Sequence, residues 1–215
     1  MGTESETVDR DEFREMEEFV RSHLQDTVDT DGDRMRWYPW HSPRYRFDHI
    51  MGAFGLAEKI GREEGAKVDV VKVATLFHDV AKFEADQEDH ADEGADIAEE
   101  YLDERGYSDV FIDDVRRTIL DHIGDMDSDL PLESKVLIES DAIDKIGVGG
   151  ATMMAMRVGY EARSHTEVPD MIDRVIERGE KTLGWLETDT GRRIARERLE
   201  RAKTYRNWFE DEMRI

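Results

Sequence analysis

Cysteine is absent from the 215-residue chain, which excludes disulfides and thiolate metal sites together. Any metal chemistry therefore rests on His, Asp and Glu, donors that suit divalent Mn, Fe, Co, Ni, Zn or Mg. Proline is scarce, at four residues, and alternating β-branched runs are missing, so nothing reads as strand. No apolar run approaches the ~20 residues needed to cross a bilayer, and no membrane is expected as a partner. Basic residues are few: 30, only eight of them lysine, against 53 Asp and Glu, for a net charge of −23. So acidic a surface disfavours duplex nucleic acid, whose phosphates need a basic face. The opening stretch MGTESETVDRDEF is polar and acidic, unlike a secretory signal, and a cytoplasmic location is expected.

What the sequence does have is charge laid along helical patterns. The acidic residues form no single block and leave apolar faces between them, which argues against disorder. The excess fits a protein adapted to molar salt, where a Debye length of about 3 Å leaves dense like charges with little repulsion. The length suits one domain, or one domain with a helical extension. The pattern sets no oligomeric state.

An N-terminal helix is expected over residues 10–23, with Phe13, Met16, Phe19, Val20 and Leu24 as its apolar stripe. Residues 26–44 are the longest irregular stretch and hold Trp37, Tyr38 and Trp40, placed either to stack a base or to pack a loop on the core. Helices follow over 45–64, 68–83, 90–105, 109–124 and 132–146, with Gly65, Gly106 and Gly147 at their stops. Segments over 150–163, 168–187 and 190–213 complete an all-α bundle. The expected organisation is an N-terminal helix and aromatic loop (1–44), a metal-binding core (45–147) and C-terminal helices packed on it (148–215).

Residues 68–83 are apolar around most of the helix, which marks it as buried. The polar exceptions after Lys72 are Thr75, His78, Asp79 and Lys82, spaced i, i+3, i+4, i+7 along one face. A buried carboxylate needs a partner, and a metal ion facing His78 and Asp79 would supply it. His49, His90, His122 and Asp141 each fall on the inward stripe of another helix. A lone histidine is more often a core residue bonded to a carbonyl, but five helices aiming at one interior weaken that reading. Plainer roles are expected elsewhere. Met153, Met154 and Met156 read as core filler, Arg157 and Arg163 as solvated charges, and His41 and His165 as uncommitted.

The series His49, His78-Asp79, Asp141 resembles the H…HD…D signature of the HD-domain superfamily of metal-dependent phosphohydrolases. RFDHIMGAFGLAEKI, LFHDVAKF and LIESDAIDKIGVGG are similar to its local contexts. LETDTGRRIARERLERAKTYRNWFEDEM resembles the terminal helix of a subgroup of small HD hydrolases, with its T-x-x-G-R-x-x-A-x-x-R pattern. The resemblance implies a helical HD bundle that hydrolyses a nucleotide or other phosphorylated small molecule. It implies His49, His78, Asp79 and Asp141 as metal ligands, with Asp79 orienting the attacking water and Lys82 meeting the phosphate. One ion is favoured, with His90 and His122 near the phosphate; a second ion through those two histidines is the alternative. The competing functions are a nucleotide sensor without turnover and a di-iron oxygenase.

Overall fold

The computed structural model describes residues 6–28, 42–86, 89–124, 126–127 and 129–213. Trp37, Tyr38, Trp40 and His41 lie outside them. Among the described residues the chain is all helix and turn, with no strand.

Helix α1 (Arg10–Thr27) opens on a capping box between Asp9 and Glu12 and buries Phe13, Met16, Val20 and Leu24, a three-four spacing that makes one face. Helix α2 (Pro43–Glu64) starts behind the Ser42 hydroxyl with proline in its first turn, and stops where Gly65 takes φ +81°. Helix α3 (Val68–Phe77) is buried on nearly every side and runs through the middle of the bundle. Around it stand α4 (His90–Asp103), α5 (Asp109–Asp121) and α6 (Leu132–Asp144). Then come α7 (Gly147–Tyr160), α8 (Val168–Trp185) and α9 (Asp189–Met213), with a 3-10 turn at His165–Glu167.

One core joins α1 to α5, centred on Val73, Leu76 and Phe77 of α3. A second joins Leu56, Ala57 and Ile60 of α2 to Val136 and Ile143 of α6 and to Leu186, Ile194 and Ala195 near and on α9. Helices α7 and α8 close a third with Tyr205 and Phe209. The C-terminal helices thus share apolar contacts with the helices that carry the expected ligands.

Two expectations are corrected. The regular helix of α3 ends at Phe77, not near residue 83, and residues 78–84 continue as tight turns with bonds from Val80 N to Phe77 O and Lys82 N to Asp79 O. Met156 is no core filler: it is 51% exposed, while Met154 packs against the third core.

Candidate metal centre

The end of α3 is where the ladder of backbone bonds stops and side chains take over. Thr75 does not join the site; its hydroxyl donates back to Val71 O at 2.7 Å, within its own helix. Three residues on, His78 Nδ1 lies 2.7 Å from that same Thr75's carbonyl, so Nδ1 carries the proton and Nε2 presents a lone pair. His78 is fully buried, and its Nε2 has no hydrogen-bond partner among the described residues. It points between Asp79 Oδ2, at 3.5 Å, and Asp141 Oδ1, at 3.6 Å.

His49 of α2 reaches the same place from the opposite side. Its Nδ1 is 2.8 Å from Asp144 Oδ2 and its Nε2 2.9 Å from Asp141 Oδ1. Burial pulls its pKa down, but the two carboxylates outweigh that and leave it raised. Asp141 accepts at its other oxygen from Lys145 Nζ, at 2.6 Å. Burial pushes the Asp141 carboxyl up, and Lys145 and His49 more than reverse it, so it stays ionised well below the usual range.

Asp79 lies between two groups of donors. Its Oδ2 accepts from Arg46 Nη1 at 2.5 Å and lies 3.9 Å from His49 Nε2. Its Oδ1 faces His90 Nε2 at 3.5 Å and Lys82 Nζ at 3.7 Å. Burial opposes its charge, and the cations beside it, Arg46 foremost and Lys82 with it, hold the carboxyl well below its ordinary value. Beyond it, His122 at the end of α5 has Nδ1 against Ile119 O at 2.5 Å. Burial pushes His122 down to about 4, so it is neutral near pH 7 with Nε2 unprotonated. The rings form a row: His49 to His78 at 5.8 Å, His78 to His122 at 5.2 Å and His122 to His90 at 5.2 Å.

All the site residues read from the sequence therefore converge. Ligand atoms of His49, His78 and Asp141 lie within 4.8 Å of one another, and so do those of Asp79, His90 and His122. Lys82 sits beside the second group, its Nζ 3.2 Å from His90 Nε2. Arg46, Asp144 and Lys145 escaped the sequence reading. A signal existed: Arg46 precedes His49 by three positions, and Asp144 and Lys145 follow Asp141 by three and four, so each shares a helix face with a ligand. The bland readings of Arg157 and Arg163 fit their pairing with Glu161 and Glu167.

Residues 46–146 match the family model of the HD domain. No curated protein matches the chain. Among solved structures it is similar to an HD-superfamily hydrolase from Bacillus thuringiensis, at 18% identity and a TM-score of 0.72, over 97% of this chain and 100% of that one. A predicted HD-superfamily hydrolase from an uncultured Thermotogales bacterium is similar at 20% identity and a TM-score of 0.62, over 96% and 99%. Bacillus subtilis YpgQ in complex with ADP is similar at 20% identity and a TM-score of 0.61, over 91% and 97%. His49, His78, Asp79 and Asp141, carried by α2, by the end of α3 and by α6, all lie inside the matched span, so residues 46–146 carry an HD domain.

Proposed function

We propose that the protein is a metal-dependent phosphohydrolase acting on a nucleotide or another phosphorylated small molecule. The observation that carries this reading is the buried, unpartnered Nε2 of His78, aimed between two carboxylates. A buried lone pair left without a donor costs about 1–3 kcal/mol, and a cation in front of it removes that cost. His49, His78, Asp79 and Asp141 would hold the ion, two imidazoles and two carboxylates that suit Mn, Mg, Fe, Co, Ni or Zn. When bound there, a divalent ion supplies Lewis acidity toward a phosphoryl oxygen and lowers the pKa of water.

The chain's own residues supply the rest. Asp79 would accept from the attacking water at Oδ1, the oxygen that Arg46 leaves open. Lys82 Nζ, on the Oδ1 side, would donate to a phosphate oxygen or to the leaving oxygen. The Arg46 Nε, buried and unpartnered among the described residues, is a further donor beside Asp79. ADP in the YpgQ structure supports a nucleotide as the ligand class.

His90 and His122 have two readings, phosphate contact beside a single ion or ligands of a second ion with Asp79. The neutral state of His122 favours the second, because an unprotonated Nε2 accepts and does not donate to phosphate. Metal content of protein purified without chelator separates them: one equivalent supports the first. Two equivalents, falling to one in the His90→Ala, His122→Ala pair, support the second.

The function is tested with a panel of nucleoside tri-, di- and monophosphates and cyclic nucleotides, each with several metals. Metal-dependent release of phosphate or pyrophosphate is expected. Nucleotide binding without release on every substrate would point to a sensor, and turnover that needs redox-active iron and oxygen to an oxygenase.

A further inference from the structure

We infer that Arg198, on the C-terminal helix α9, is a positioning residue of the metal centre, acting through Asp144 on His49. The inference rests on the metal-centre reading above.

Asp144 is held from three sides. Its Oδ2 receives His49 Nδ1 at 2.8 Å, and its Oδ1 faces Arg198 Nη1 at 3.9 Å. On the third side is Gly52 of α2, where a Cβ would come within 2.4 Å of Oδ1, so α2 gives up a side chain to admit the carboxylate. Arg198 Nη1 also donates to Ile143 O at 2.7 Å, which ties the guanidinium to the end of α6 beside Asp144. Its stem packs on Gly147, where a Cβ would lie 2.9 Å from Arg198 Cβ and φ is +78°.

The register of α9 is set about three turns before Arg198 by a buried carboxylate. Glu139 of α6 accepts from Glu187 N at 2.6 Å and Thr188 N at 2.8 Å, and from the Thr188 hydroxyl. Gly191 leaves the room: a Cβ there would sit 2.0 Å from Glu139 Oε2. Thr188, Gly191, Ala195 and Arg198 are spaced i, i+3, i+7, i+10, one face of a helix turned to α6. The Glu139 latch thus delivers Arg198 to Asp144.

A histidine ligand needs its second nitrogen fixed, which sets the tautomer and the ring plane. Asp144 fixes His49, and Arg198, paired with Asp144 at 3.9 Å and tied to α6 through Ile143 O, steadies Asp144. A helix at the far end of the sequence is thereby part of the ligand shell's support.

The test is a Co²⁺ titration of metal-free protein, followed by the visible d–d absorption and without phosphate substrate. Arg198→Met is expected to weaken Co²⁺ by about tenfold, the lower end for loss of such support. In an Asp144→Asn background the same change should add less than twofold, since the route is already cut. Arg198→Lys keeps the charge and the stem but not the forked donor; it should lose about threefold, again only with Asp144 present, and it carries the test should Arg198→Met fail to fold. An equal loss in both backgrounds would mean that Arg198 only caps α6, and unchanged affinity in the single variant would likewise overturn the inference. Wild type that binds no Co²⁺ would overturn the metal-centre reading as well, whereas wild-type binding with an inert Arg198 sinks this inference alone.

Discussion

Among the described residues His78 is held through Nδ1 alone, the attachment that the proposed metal ligand requires. Lys82 tests the division of labour around it. Lys82→Ala removes no ligand atom, so metal content should stay at the wild-type value while kcat falls by 10²-fold or more, within the range of a lost charge-stabilising donor. Metal loss in that variant would show that Lys82 supports the ligands instead. His122 gives a pH prediction for chelated protein. Its folded pKa is depressed from 6.5 to about 4, so the folded state binds a proton less readily than the unfolded chain. The stability this group contributes is complete above pH 6.5 and is lost as pH falls toward 4, by at most about 3 kcal/mol. Denaturant melts of His122→Gln should show a shallower decline across that window; an unchanged decline would remove His122 as its source.

At the scale of elements, the helix ends were legible because capping and glycine chemistry is local. Gly65, Gly106 and Gly147 mark stops in the sequence and take positive φ between helices in the fold, whereas α2 begins behind Ser42, two residues ahead of the expected start at 45. The end of α3 was not legible, because nothing in VATLFHDVAKF breaks a helix. There the bond from His78 Nδ1 to Thr75 O and the bond from Arg46 of α2 to Asp79 override propensity. The T-x-x-G-R-x-x-A-x-x-R pattern of α9 was legible as a resemblance but not as a cause, since its partner Glu139 lies about 50 positions earlier. That partnership makes Gly191 irreplaceable. Gly191→Ala should cost about 2 kcal/mol by overpacking against Glu139, which the buried carboxylate cannot relieve by moving. In a Glu139→Ala background, itself destabilised by the lost bonds, the same Gly191→Ala change should cost much less, measured by urea unfolding. A Gly191→Ala protein as stable as the parent would contradict the latch.

The whole molecule carries −23 charges on 215 residues, and much of its arginine is spent in short-range pairs such as Arg116 with Asp96 and Arg193 with Glu63. Unscreened self-repulsion of that size opposes the compact state. The thermal midpoint should therefore climb by many degrees from low salt to molar KCl, and a flat profile would end the molar-salt reading. Seen whole, the convergence of His49, His78, Asp79 and Asp141 was readable because each falls on an inward stripe of its helical segment. The charges that hold them were not, because Arg46 with Asp79 and Asp144 with His49 pair across helices, and no single stripe encodes a pairing. The account stands on one centre holding a metal, and Asp79→Ala beside wild type tests it most directly. Metal content, phosphate release and far-UV circular dichroism are measured on the same preparations. The prediction is a variant with near-wild-type helix content that has lost its bound metal and all metal-dependent release, whereas retained turnover in that folded variant would contradict it.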